Sequence, residues 1–468
     1  MQRLGETEME VTISNEIIVK EPSAALIQWA RENLVFENPE YINRTRRGLW
    51  TGNTDRYLTM YKVVSENLVL PCGVGKHIRK YLQGCGIQTD LADNEPLEYG
   101  SQIPLYDYQI PAVTAMKQYG CGILQSPCGS GKTQMGIALA ALIGRRTLWV
   151  THTQDLLNQS YDRAAQYFGA DGLGKITGGK VEVGRLMTFA TVQTLSKIDL
   201  AAFKYTWDVI IVDECHRLSG TPASVTMFYR VMSNLAARYK YGLSATVYRS
   251  DGLIRTTFAI LGDIAYKVPD EAVADKTMKV GVLKRETLIP LSRECQDTDG
   301  TMDYAKLLPY LTENNVRNAQ IVSDLVSNAA HSNLILSDRL EHLRTIRSML
   351  PPEQREQSVM IDGKMTSKRA KAERLMAIEQ MRAGKKRYLF ATYSLAKEGL
   401  DIPRLDRLYL TTPRKDYAVI TQSIGRIART FEGKQDAICY DYVDDIDFCE
   451  NQFKRRKTSY RKAGCVFL

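Results

Sequence analysis

Gly129-Ser130-Gly131-Lys132-Thr133 sets two glycines, an amine and a hydroxyl in one short stretch. The glycines let backbone N–H groups turn inward around a polyphosphate, Lys132 adds a point charge, and Thr133 offers a hydroxyl to a metal ion. Ser126, Pro127 and Cys128 lead into it, and Ser126 stands where the strict phosphate-loop pattern has glycine. Further on, the apolar run Val209-Ile210-Ile211-Val212 ends in Asp213-Glu214-Cys215-His216. An acidic pair at the C-terminal end of a buried strand suits a Mg²⁺ ligand, Asp213, followed by a carboxylate that orients an attacking water, Glu214. The chemistry these residues can perform is phosphoryl transfer from a nucleoside triphosphate.

Elements must bring those groups together. Gly122-Ile123-Leu124 reads as a buried strand entering the glycine loop, and Gln134 to Ile143 as a helix leaving it. From about Pro104 to Asp270, short apolar runs (Cys121 to Leu124, Thr147 to Val150, Leu186 to Phe189, Val209 to Val212, Tyr241 to Leu243) alternate with helical segments. A buried parallel sheet reads this way. Pro269 to Val282 reads as a linker. The rhythm then resumes at Asn333 to Leu336, Gln357 to Ile361, Tyr388 to Ala391, Arg407 to Leu410 and Ala437 to Tyr442, with a helix over Ser367 to Arg382. Residues 1 to about 95 read as a small α+β unit, in which Trp29 and Trp50 are expected to be core residues. The expected organisation is a small accessory domain over 1–95, one α/β domain over 96–275 and a second over 276–468.

The chain has 468 residues, too many for one core. No apolar run approaches a membrane span and the N-terminus lacks a signal-peptide core, so a cytoplasmic protein without membrane attachment is expected. Nine cysteines are scattered singly, which predicts reduced thiols and no structural metal. A net charge of +9 favours a polyanionic partner, and arginine or lysine clusters at Arg44-Arg46-Arg47, Lys385-Lys386-Arg387 and Lys454-Arg455-Arg456-Lys457 concentrate that charge.

Ser-Pro-Cys-Gly-Ser-Gly-Lys-Thr followed by Asp-Glu-Cys-His resembles motifs I and II of superfamily 2 helicases, whose phosphate loop commonly lacks the first glycine. Further matches follow in order. Leu105 to Gln109 resembles the adenine-reading Q motif, with Gln109 as the base partner, although Tyr106 replaces the usual arginine. Thr151 to Gln159 resembles motif Ia, Thr188 to Leu195 the motif after it, and Ser244-Ala245-Thr246 motif III. Ile335 to Arg339 resembles motif IV, Ala391 to Pro403 motif V, and Gln422 to Arg429 motif VI.

The resemblance implies two RecA-like parallel-sheet domains in tandem behind the α+β unit, with ATP and Mg²⁺ as cofactors. It implies nucleotide contacts from Gln109, Pro127 to Thr133, Gly399 and Asp401, and catalytic roles for Lys132, Asp213, Glu214, Gln422, Arg426 and Arg429. Metal binding falls to Thr133 and Asp213. Contacts to a nucleic-acid backbone fall to Thr151, Gln159, Thr191, Gln193, Ser337, Thr392 and Ser394. Arg426 and Arg429, three apart, are expected on one helical face, from which both would reach ATP when a cleft closes. The Asp-Glu-Cys-His box, Tyr440 to Asp444 and the basic stretch Lys454 to Lys462 look most like the phage and poxvirus DNA helicases related to RecG-like and XPB-like enzymes. Duplex, forked or branched DNA is then the expected partner, with Arg44 to Arg47 a candidate contact. An RNA helicase, a restriction-system motor and a scaffold without hydrolysis stay open.

Overall fold

The computed structural model describes residues 9–127, 129–247, 252–290, 292–296, 302–361, 368–397, 400, 402–414 and 417–468. The chain forms two compact units, 1–127 with 131–270 and 128–130 with 271–468.

In the first unit, β1 (Glu10–Ile13), β2 (Glu16–Val19), β3 (Val35–Glu37), β4 (Tyr57–Thr59), β5 (Lys62–Val64), β6 (Asn67–Pro71) and β7 (Gly86–Thr89) come first. They make a five-stranded sheet of order β5-β6-β2-β1-β7 and a separate β3-β4 ladder. Then come β8 (Cys121–Gln125), β9 (Thr147–Thr151), β10 (Leu173–Thr177), β11 (Lys180–Val181), β12 (Met187–Thr191), β13 (Val209–Asp213), β14 (Tyr239–Ser244) and β15 (Ile264–Lys267), in sheet order β11-β10-β12-β9-β13-β14-β8-β15. Every residue of β9, β12 and β13 is buried. Helices on both faces require this and it explains their unbroken apolar sequence.

The accessory sheet shares one hydrophobic core with the parallel sheet. A Cβ on Gly73 would lie 2.4 Å from the amide nitrogen of Gly262 and 2.5 Å from the carbonyl of Phe258, so only glycine permits this backbone approach. Asp90 fastens the same junction, accepting from Ser14 Oγ at 2.9 Å, Lys204 Nζ at 2.8 Å and Tyr205 OH at 2.7 Å. Those bonds, Lys204 foremost, hold its carboxyl down at about 2. Trp29 packs partly buried against the core as expected, whereas Trp50 is 69% exposed and is not a core residue.

The second unit carries β16 (Val280–Thr287), β17 (Asn333–Ser337), β18 (Ser358–Ile361), β19 (Tyr388–Thr392), β20 (Arg407–Leu410), β21 (Ala437–Asp444) and β22 (Val466–Phe467), in order β18-β19-β17-β20-β21-β16-β22 with every pairing parallel. These are tandem parallel-sheet α/β domains. The expected linker therefore ends earlier, because Val280 opens a strand that pairs along its whole length with β21. The basic stretch Lys454 to Lys462 belongs to the helix Asp447–Lys462. Its Arg456 is buried and forks onto Asp441, with Nε–Oδ2 at 2.8 Å and Nη2–Oδ1 at 2.9 Å. One of its cations is thus spent on packing, not on a partner.

Candidate functional site

Strand order decides what the first sheet can assemble. Neighbouring β12, β9, β13, β14 and β8 run parallel, so their C-terminal ends open on one edge, and those ends carry Thr191, Thr151, Asp213, Ser244 and the Gln125–Ser126 step. Ligands of open α/β sheets bind at that edge. Gly131 takes φ +77° and caps the helix Lys132–Ile143, and Gly129 takes φ +83°. Both angles lie in the left-handed region that glycine enters without strain, and they aim successive N–H groups to one side. Lys132 opens the helix, with Nζ 3.4 Å from the Ser126 carbonyl, and Thr133 follows half-buried. Ser130 is fully buried and Pro127 half-buried, whereas Cys128 lies outside the described residues.

Gln109 is 1% exposed, and its Oε1 accepts from the Tyr106 N–H at 2.9 Å. Its amide presses on the glycine loop, since a Cβ on Gly131 would lie 2.6 Å from Nε2. Tyr106, in place of an arginine, stacks on Tyr108 at 5.8 Å between centroids.

Asp213 is buried, and Glu214 beside it is half-buried. The Glu214 N–H donates to Asp213 Oδ1 at 2.9 Å, and Glu214 adopts φ 51°, a left-handed conformation that disfavours a side chain by roughly 1–2 kcal/mol. Burial, then the charge of Glu214, pushes the Asp213 carboxyl up; Lys132 opposes this. Burial also acts on Glu214, but His216 and Lys132 outweigh it and keep Glu214 ionised. His216 Nδ1 lies 3.0 Å from Ser244 Oγ and 3.2 Å from Glu214 Oε2. The ring thus stands between the serine hydroxyl and the carboxylate, bonded to the first and within ion-pair distance of the second. Ser244 Oγ donates to the Thr246 carbonyl at 2.7 Å, which links the third motif to the second.

This donor set fits Mg²⁺. One buried and one half-buried carboxylate stand against one ammonium, an imbalance that a divalent cation relieves, and Thr133 and Asp213 are oxygen ligands of the right hardness. Among the described residues no cluster of three or more His, Cys, Asp or Glu could hold a metal ion by itself. Mg²⁺ typically takes one or two protein oxygens and completes its shell from water and phosphate.

The residues expected on a nucleic-acid backbone divide. Gln193 is exposed and its Nε2 donates to the His152 carbonyl at 2.7 Å; Gln159 is half-buried on the helix Gln154–Phe168. Thr151 is fully buried and donates to the Thr153 carbonyl at 3.0 Å, and Thr191 is buried with Oγ1 3.0 Å from Thr194 Oγ1. Ser337 is fully buried, with its hydroxyl 3.0 Å from His342 Nδ1 and 3.1 Å from the Arg339 N–H. The side chains of Thr151 and Ser337 thus shape their loops and do not present themselves at a surface. Thr392 and Ser394 share a 2.9 Å hydrogen bond at the end of β19, where Ser394 is exposed.

Within the second sheet, Thr392 and Ser337 end adjacent parallel strands and so share an edge. Gln422 lies buried on the helix Tyr417–Ile427, with Oε1 lacking a partner among the described residues. Arg426 is on the last turn, and its Nη1 donates to the Leu400 carbonyl at 3.1 Å. Arg429 is not on that helix. The helix stops at Ile427, and Arg429 sits in an antiparallel bridge with Thr277, so the two arginines do not share a helical face.

Lys434, which the sequence did not single out, accounts for the stop. Its Nζ donates to the carbonyls of Ile427 at 2.5 Å, Leu405 at 2.7 Å and Arg429 at 2.8 Å, while the Met278 N–H takes the Ala428 carbonyl at 2.7 Å. With those acceptors engaged from outside, the helix has no bonds left to extend it. Gly399 and Asp401 lie outside the described residues.

Residues 102–249 match the family described as type III restriction enzyme, res subunit, and residues 317–431 match the helicase conserved C-terminal domain. The putative ATP-dependent RNA helicase L396 of Acanthamoeba polyphaga mimivirus is 25% identical over 447 residues, covering 86% of this chain and 82% of its own length. The DNA 3'-5' translocase XPB2 of Sulfurisphaera tokodaii is 25% identical over 388 residues, covering 76% of this chain and 86% of its own. The ATP-dependent type ISP restriction-modification enzyme LlaBIII bound to DNA has the same fold over 91% of this chain and 34% of its own, at TM-score 0.56 and 13% identity.

Proposed function

The chain is an ATP-dependent helicase of superfamily 2, and from that premise we propose that it couples Mg-ATP hydrolysis to movement on DNA, with forked or branched DNA as its substrate. The observation that carries the catalytic part is the shared strand edge where Lys132, Asp213, Glu214, His216 and Ser244 meet. In this reading the N–H groups around Gly129 and Gly131, with Lys132, hold the β- and γ-phosphates. Gln109 recognises the base and at the same time braces the loop. Thr133 and Asp213 hold Mg²⁺, whose charge offsets that of the phosphates when bound. Glu214, kept ionised, orients the attacking water and accepts its proton, and Arg426 and Arg429 stabilise charge on the transferred phosphoryl group. Gln422, whose buried Oε1 has no partner among the described residues, positions the water or an arginine.

The DNA part draws support from the relative named as a DNA translocase and from the net charge of +9. The mimiviral relative named as an RNA helicase makes RNA the competing substrate. Steady-state ATPase assays with duplex DNA, forked DNA and RNA as competing activators test the reading. Strongest activation by forked DNA supports it, strongest activation by plain duplex overturns the choice of a forked or branched substrate, and activation by RNA alone overturns the choice of DNA.

A further inference from the structure

Resting on the nucleic-acid motor reading, we propose that residues 38–57 form a second binding site in which Trp50 stacks on an unpaired nucleobase while Arg46 and Arg47 hold the flanking phosphates. The segment is an excursion between β3 and β4, two strands that among the described residues pair only with each other. Its helix, Pro39–Arg46, buries no residue. Pro39, Tyr41, Ile42 and Arg44 are only half-buried, so the helix contributes little to the core.

Three features point to a nucleic acid as occupant. First, Trp50 is 69% exposed and Leu49 beside it 53%. Second, the indole is not loose: a Cβ on Gly52 would fall 2.3 Å from Cζ2 and 2.6 Å from Cε2 of Trp50, so the six-membered part of the ring lies directly on the Gly52 backbone. One side of the ring is supported while most of the indole faces solvent. Third, Arg44 fixes the turn, donating from Nη1 to the Trp50 carbonyl at 2.7 Å and pairing with Glu40 at 3.2 Å. Arg46 and Arg47 are exposed, and neither makes an ion pair among the described residues. A supported aromatic face beside uncommitted guanidinium groups matches a base flanked by phosphates.

The chain supplies its own probe. It has four tryptophans; Trp149 and Trp207 are at most 1% exposed and Trp29 is half-buried, so an exposed quenchable indole means chiefly Trp50. Single-stranded oligothymidylate added to the full-length protein is expected to quench tryptophan emission, and an abasic strand of equal length is expected to bind without quenching. Trp50→Ala should abolish the quench and weaken oligothymidylate binding by about tenfold. Gly52→Val, which displaces the ring but keeps every arginine and the indole, should also reduce the quench. Arg46→Ala with Arg47→Ala should lower the salt slope of binding by about 1.4. Unchanged affinity and quenching in Trp50→Ala overturns the site. Absence of nucleic-acid-stimulated ATPase in the parent chain would instead overturn the motor reading, so the two failures are told apart.

Discussion

His216 Nδ1 and Ser244 Oγ lie 3.0 Å apart, joining the residue two positions after Glu214 to the end of the neighbouring strand β14. The same imidazole nitrogen is 3.2 Å from Glu214 Oε2, so the serine sets the ring that stands against the water-orienting carboxylate. Ser244→Ala removes the bond to His216 and those the hydroxyl makes with Thr246, each of about 1 kcal/mol, and should lower ATPase kcat by about tenfold with little change in KM for ATP. A change confined to KM would place Ser244 in nucleotide binding.

Lys132→Ala should abolish turnover and weaken ATP binding, because the phosphates lose their charge partner. Glu214→Gln is nearly isosteric and should bind a fluorescent ATP analogue normally while hydrolysing it at least about 10²-fold more slowly. Loss of binding in Glu214→Gln would mean that its role has been misassigned.

Asp213 yields a pH prediction. Its carboxyl is raised from 3.8 to about 7, first by burial and then by Glu214. Between those values the folded state holds a proton that the unfolded chain has released, so this group's contribution to stability falls as pH rises through that window. Asp213→Asn should therefore raise the melting temperature of the nucleotide-free protein at pH 8 and leave it nearly unchanged at pH 4, while abolishing ATPase activity. Thermal melts at the two pH values check the sign, and a lower melting temperature at pH 8 would contradict it.

Both sheets and the glycine loop were legible in the sequence because strands such as Val209–Asp213 are buried on both faces and read as unbroken apolar runs. What escaped was whatever depends on a distant partner. The expected linker runs to Val282 and so hides the start of the strand Val280–Thr287, whose Lys284, Arg285 and Glu286 break the apolar pattern of a buried strand; yet Lys284 pairs with Glu450 at 2.6 Å and Arg285 with Asp324 at 2.8 Å. Those partners, far along the chain, let charged residues occupy a strand. Arg456 reads as part of a basic cluster that favours a polyanionic partner for the same reason, since its counter-ion, Asp441, lies elsewhere in the sequence. Trp50 failed in the opposite sense: an aromatic residue usually buries, and nothing local says that this one rests on Gly52. The helix end at Ile427 needed Lys434, seven residues on, and a lysine after Gly433 carries no sequence signal of its own.

Lys434→Met would leave three carbonyls without their donor and should destabilise the second unit by about 2–3 kcal/mol. Because two of those carbonyls belong to Ile427 and Arg429, kcat should fall with KM for ATP largely retained, and Lys434→Arg should restore part of the loss. Equal activity in Lys434→Met and the parent would separate the cap from the arginines.

The central proposal is that Arg426 and Arg429 serve the hydrolysis of ATP and not its binding. Single-turnover ATP hydrolysis by Arg429→Ala and Arg426→Ala, alongside equilibrium binding of the same nucleotide, tests it most directly. The account predicts hydrolysis slowed by about 10³-fold or more with binding nearly intact. Hydrolysis at the parent rate in both variants would contradict it.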